Sequence, residues 1–278
     1  MRSILNFRTL INALTSSMFL LGGLTAGHAE AIKPSFVSGG ELVVCIDPTF
    51  PPMEFFRKAG DTEPVGVDVD VINALAKHWN IKPKLMTMDF DGLLPSLEAK
   101  KCDAVISGTS ITPPRIKTLA AIPYINTSVV IITKTGNKIE IKDPKDLSGK
   151  VVAVQSGTQY VDRVNKVNAE LKAAGAKEID MQVYPKQTDV IQQILVGRAQ
   201  AAYTQDTENA FRSIDNPGKF SLIYTYPDAQ QMGIFIRPNA DDEKAINAAV
   251  AALVKDGSLP AIIKNWKLST SQLNGIGK

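Results

Sequence analysis

Ala104-Val105-Ile106-Ser107-Gly108-Thr109-Ser110-Ile111-Thr112-Pro113-Pro114-Arg115 runs from a short apolar segment through small hydroxyl residues to a cation. The first three residues predict a short buried strand. Thr112 before Pro113 predicts a helix N-cap with proline at the first helical position, which puts Arg115 in the first helical turn. Backbone N–H groups, hydroxyls and one guanidinium then converge over a single stretch. Such a set suits a small carboxylate, because Arg presents a bidentate fork and the loop and helix end add donors. Taken alone, the stretch reads equally well as an ordinary strand-to-helix loop with its Arg in solvent.

Upstream, residues 30–40 read as a linker and Glu41 to Ile46 as a first strand. A loop stiffened by Pro51 and Pro52 follows at Asp47 to Phe55. A helix runs from the Gly66–Asp70 segment to about Asn80, with Asp68 and Asp70 read as its caps and Trp79 as a packing residue. A second strand covers Lys84 to Met88, and a helix covers Leu93 to Lys100. This β, α, β, α, β order with short connections predicts a mostly parallel sheet flanked by helices. Ligands of such sheets bind beyond the carboxyl ends of the strands, so the Asp47 and Ser107 loops should share a cleft. Downstream the same logic restarts. Strands are expected at Val129–Thr133, Val151–Val154, Val183–Tyr184, Ala201–Tyr203 and Ile234–Arg237. Helices are expected at Asp189–Gly197, Thr207–Ser213, Ala240–Asp256 and Leu259–Trp266, where Trp266 is read as packing.

The 278 residues carry 31 basic and 28 acidic side chains, with 44% hydrophobic and 21% charged residues, an ordinary soluble composition. Arg2 and Arg8, then an apolar stretch to Leu24 and small residues at Ala26 to Ala31, read as a secretory leader with cleavage after Ala29 or Ala31. The leader carries those two Arg and no acid, so its removal lowers the net charge from +3 to +1. That balance argues against nucleic acid as a partner. His28 leaves with the leader and only His78 stays, so a Ser-His-Asp triad, a Cys-His pair or a multi-histidine metal site is hard to build. Cys45 near the end of one strand and Cys102 before the start of another would lie at opposite ends of two parallel neighbours. This favours buried free thiols over a bridge.

The order of motifs over residues 40–268 resembles the periplasmic solute-binding proteins of ABC importers, in the family for polar amino acids. The carriers are Asp-Pro-Thr-Phe-Pro-Pro at 47–52, Gly-Val-Asp-Val-Asp at 66–70 and Asp-Gly-Leu-Leu-Pro-Ser-Leu at 91–97. Asp-Ala-Val-Ile-Ser-Gly-Thr-Ser-Ile-Thr at 103–112, Val-Gln-Ser-Gly-Thr at 154–158 and Asp-Gly-Ser-Leu at 256–259 complete them. Met53 replaces a usual phenylalanine, and Pro114 a usual glutamate. The resemblance implies an α/β, two-lobed clamshell fold, each lobe a mostly parallel sheet flanked by helices, joined by two hinge strands. Its implied boundaries are 1–29 for the leader, 39–126 plus 232–268 for lobe one, and 127–231 for lobe two.

The same resemblance implies residue roles. Arg115 would grip the ligand's α-carboxylate, aided by Ser110 and by the backbone around Gly108 and Thr158. Asp206 would take the α-ammonium with the Gly108 carbonyl. Asp47, Phe50 and Phe90 would surround the side chain, and Gln159 would line the second lobe beside Gln155 and Gln205. Two aromatic faces and a carboxylate suit a basic side chain, so arginine, lysine, ornithine or histidine is the first expectation and glutamine the second. The implied partners are that amino acid and the membrane subunits of an ABC permease. The chain is expected to act as a periplasmic monomer, with no cofactor, metal or catalytic residue. The alternative is a cyclohexadienyl dehydratase-like lyase on the same fold, which would need a cleft carboxylic acid with a raised pKa.

Overall fold

The computed structural model describes residues 31–278, so the expected leader lies outside the described residues. The chain starts with β1 (Glu41–Ile46), a tight hairpin β2 (Thr49–Phe50) and β3 (Glu54–Phe55), then α1 (Val67–Trp79) and β4 (Lys82–Thr87). Helix α1 forms because Val67, Val71, Ile72, Leu75 and Trp79 recur at helical spacing and bury one face. It stops at Asn80, which takes the left-handed conformation at φ 51°. Next come α2 (Leu93–Glu98), β5 (Ala104–Val105), β6 (Ala120–Thr127) and β7 (Val129–Lys134). The central segment holds β8 (Val151–Gln155), α3 (Gln159–Ala173), β9 (Asp180–Tyr184), α4 (Gln187–Leu195), β10 (Ala201–Gln205), α5 (Asp206–Asp215) and β11 (Phe220–Thr225). The chain closes with β12 (Gln230–Ile236), α6 (Ala240–Lys255) and α7 (Ser258–Asn265). Helix α6 is capped by Asn239, whose side chain accepts from the N–H groups of Asp241 and Asp242.

Two five-stranded sheets result, in the orders β4-β1-β5-β12-β6 and β11-β7-β10-β8-β9. In each, four strands share one direction and a single strand, β12 or β7, opposes them. The orders mirror one another: β12 sits beside β5 as β7 sits beside β10. The chain passes between the sheets at β6 to β7 and again at β11 to β12, and these passages pair through Gln230 opposite Thr127. Each sheet has its own core. Val44, Ile46, Ile72, Trp79 and Ile234 belong to the first lobe. Val129, Val152, Val164 and Tyr203 belong to the second.

Two expectations change. Cys45 and Cys102 form a disulfide with Cα atoms 5.8 Å apart. Strand β5 pairs with the far end of β1, Ala104 opposite Val44 and Val105 opposite Cys45, so its start lies near the end of β1 and not at the opposite end of the sheet. Asp103 locks that stagger by exchanging hydrogen bonds with Val43. The helix expected after Thr112 is also absent. Arg115–Lys117 is a single 3-10 turn preceded by Pro114 without a side-chain cap, because β6 begins at Ala120 and leaves no length for a helix. No helix dipole therefore assists Arg115.

Candidate functional site

The site assembles where the parallel strands of both sheets end. Asp47 follows β1, Phe90 lies just past β4, and Ser107 to Ser110 follow β5. Facing them, Gln155 ends β8, Thr158 caps α3 and Gln205 ends β10. From the first lobe Phe50, Phe90, Gly108, Ser110 and Arg115 line one cavity. From the second, Gln155, Thr158, Gln159, Tyr160 and Gln205 close it. Seven of the nine expected site residues are thus brought together. Asp47 and Asp206 flank this cavity without lining it.

Arg115 holds the centre by its guanidinium. Nη1 donates to the Ser110 carbonyl at 2.8 Å, and Nη2 crosses the cleft to the Gly157 carbonyl at 3.0 Å. The guanidinium carbon stands 5.6 Å from the centre of the Phe90 ring, in cation–π range. Among the described residues no acidic side chain comes within 4.0 Å of it. Burial lowers its pKa to about 10, which leaves it charged at neutral pH. Two carbonyl dipoles and an aromatic face are weak compensation for a desolvated cation, and an anion of matching geometry improves it greatly.

Asp47 is 2% exposed. Its Oδ2 accepts from Thr49 Oγ1 at 3.0 Å and, across the cleft, from Gln155 Nε2 at 2.7 Å. Burial raises its pKa to about 6, and the two hydrogen bonds oppose that rise. Thr49 Oγ1 in turn accepts from the Gln187 N–H at the start of α4, 3.2 Å away. Other bridges between the lobes are Gln205 Nε2 to Ser110 Oγ at 2.8 Å and Ser156 Oγ to Asp91 Oδ2 at 3.2 Å. The lobes are in contact, and the cleft is closed.

Asp206 is the first residue of α5. Its Oδ1 accepts from Thr127 Oγ1 at 2.6 Å and its N–H donates to the Ser128 carbonyl, which ties it to the passage between β6 and β7. Burial raises its pKa. Gln159 Nε2 donates to Gln230 Oε1 at 3.1 Å on the second passage. The Thr158 hydroxyl is engaged with the Gln155 carbonyl. Gly108 adopts φ +51°, and a Cβ there would lie 2.7 Å from the Phe50 ring, so only glycine lets that ring cover the loop.

Sequence reasoning missed what lies beneath the loops. Asp68 is no helix cap: it is buried and accepts from the Gly108 N–H at 2.6 Å and from Tyr124 O–H at 2.6 Å. Glu54 accepts from Ser107 Oγ at 2.8 Å, and Ser107 Oγ accepts from the Asp47 N–H at 2.9 Å. Burial and the neighbouring Asp68 raise the Glu54 pKa well above the ordinary carboxylate value. Asp68 and Glu54 therefore pin the Asp47 and Ser107 loops. Their only sequence signal was two acids beside apolar residues, and that also fits a surface helix start. Tyr160, in the first turn of α3, was missed as well. Trp266 packs as expected and also donates to Asp70 Oδ2 at 2.7 Å.

The sequence pattern of the bacterial extracellular solute-binding proteins, family 3, matches residues 42–269. The chain is 29% identical over 239 residues to the L-cystine-binding protein TcyJ of Escherichia coli, covering 82% of each chain. It is 31% identical over 254 residues to the L-arginine-binding protein of Pseudomonas aeruginosa, covering 87% of this chain and 93% of that one. Among solved structures, the ancestral amino acid-binding protein AncCDT-1, a precursor of cyclohexadienyl dehydratase, superposes with a TM-score of 0.73 at 26% identity. That match covers 83% of this chain and 97% of the other.

Proposed function

As the chain belongs to the bacterial extracellular solute-binding proteins, family 3, we propose that it captures a polar L-amino acid, a basic one first, and delivers it to an ABC permease. It does so in the periplasm, between lobe one (39–126 plus 232–268) and lobe two (127–231). The observation that carries the reading is Arg115, a half-buried cation in the cleft with no carboxylate partner among the described residues. A free α-carboxylate supplies the missing charge in bidentate geometry. Asp206 and the Gly108 carbonyl serve the α-ammonium, while Asp47, Phe50 and Phe90 face the side chain. Asp47 gives a cationic side chain its counter-charge, and the arginine-binding relative favours the same ligand class. A zwitterion needs both charges matched at once, and the matching groups come from opposite lobes, so binding and closure are coupled.

The test is a thermal-shift screen of the leaderless protein after denaturation and refolding to strip carried-over ligand. The panel is the L-amino acids with ornithine, cystine and prephenate. A true ligand at 1,000 times its Kd adds about 4 kcal/mol. For a chain of this size that is a shift of roughly 8–16 °C. A second reading, a dehydratase, draws on a cleft carboxyl raised to about 6 and on likeness to an amino acid-binding protein that is a precursor of such an enzyme. Silence across the amino acids with consumption of prephenate would establish it instead.

A further inference from the structure

Gln205 is 2% exposed and stands at the carboxyl end of β10, facing the cavity. One end of its amide is anchored, Nε2 donating to Ser110 Oγ across the cleft at 2.8 Å. The other end, Oε1, is buried and has no hydrogen-bond partner. A buried amide oxygen without a donor is unfavourable, and such an atom on a cavity wall marks where a donor belongs. Arg115 fixes which donor. It binds the Ser110 carbonyl through Nη1, so the guanidinium and the Gln205 amide are held by the same residue. In an α-amino acid only one carbon separates the carboxylate from the ammonium. A carboxylate on Arg115 therefore places the ammonium in the same cavity that Gln205 lines. An ammonium has three N–H donors, and the proposed function assigns it two acceptors, Asp206 and the Gly108 carbonyl.

We infer that Gln205 is a specificity-determining residue whose Oε1 takes the third N–H of the ligand's α-ammonium, so that the site selects α-amino acids over acids lacking that group. The inference rests on the amino acid reading above. It is distinct from a strut role, in which Gln205 would only hold the lobes together through Ser110.

Isothermal titration of the wild type, Gln205→Met and Gln205→Glu separates the two roles. The probes are L-arginine with 5-guanidinopentanoate, and L-glutamine with 4-carbamoylbutanoate; each pair differs by the α-ammonium alone. Gln205→Met is expected to weaken the amino acid that binds by about tenfold and its deamino partner by less than twofold. Gln205→Glu keeps an acceptor oxygen and is expected to restore amino acid binding to within about threefold of wild type, which also covers a poorly folded Met variant. Equal losses for both members of a pair would reduce Gln205 to a strut and overturn the inference, as would no loss at all. If neither amino acid binds, the pair becomes the amino acid found in the thermal-shift screen and its deamino analogue; silence across that whole panel would overturn the amino acid reading itself, and this inference with it.

Discussion

Asp47→Asn tests the cleft electrostatics most directly. In the closed structure burial lifts the Asp47 carboxyl from 3.8 to about 6. The sign follows from linkage: a carboxyl with a raised folded pKa contributes stability that is fully present below pH 3.8 and is lost as the pH rises through about 6. With those two values the penalty is about 0.5 kcal/mol at pH 4 and about 3 kcal/mol at pH 8. Asparagine stays neutral at both. It keeps one oxygen to accept from Thr49 and Gln155, the two partners of the native carboxylate. The difference in stability between variant and wild type should therefore grow by about 2.5 kcal/mol between pH 4 and pH 8 in favour of the variant. At roughly 2–4 °C per kcal/mol the difference in Tm should grow by about 5–10 °C. Calorimetric melts of both ligand-free proteins at the two pH values measure it, and titrating groups that do not interact with Asp47 cancel in the difference. At pH 8 the same variant should bind L-arginine about 10- to 100-fold more weakly, because the counter-charge is gone. A Tm difference that does not change with pH would refute the desolvation argument. Undiminished arginine affinity would refute the role of Asp47 as partner of a basic side chain.

Other perturbations probe separate parts of the design. Arg115→Ala removes a cation that pairs with no protein carboxylate among the described residues, so it should cost at least about 100-fold in ligand affinity. Its ligand-free Tm should move by less than about 4 °C, the shift of roughly 1 kcal/mol. Gly157 sits at φ +71°, and a Cβ there would lie 2.7 Å from the Asp91 Cα of the opposite lobe. Gly157→Ala should hold the lobes apart, which small-angle scattering in the presence of ligand would show as a failure to compact. Replacing Cys45 and Cys102 together by Ala opens a cross-link spanning 57 residues. By loop entropy this should destabilise by about 4 kcal/mol, and guanidinium titration of both proteins reads that difference.

The amino-acid sequence by itself determined the elements and their order. Helical spacing in α1 and α6, the polar caps at Asn239 and Thr158, and the small-residue loops after β1, β5 and β8 all act within a few residues of chain. Local steric and hydrogen-bonding preferences are sufficient there, and the repeated order of strands and helices then points to two matching α/β lobes. Arg115, Ser110 and Gly108 share one short stretch after β5, so their convergence on the cleft could be expected from the sequence, whereas Phe50 and Phe90 were placed there only by the family resemblance. Tertiary structure decided what depends on register and closure. The Cys45–Cys102 bridge exists because Ala104 pairs with Val44, a stagger that no local pattern encodes. The length available before β6 reduced the helix expected at Arg115 to one turn. Asp68 and Glu54 became a buried diacid under the cleft loops only when α1 packed below them. Asp47 meets Gln155 across 108 residues of chain, and Gln205 meets Ser110 across 95. Those contacts arise where two separately folded sheets meet, and their energies depend on desolvation by the closed cleft, which a linear sequence does not display.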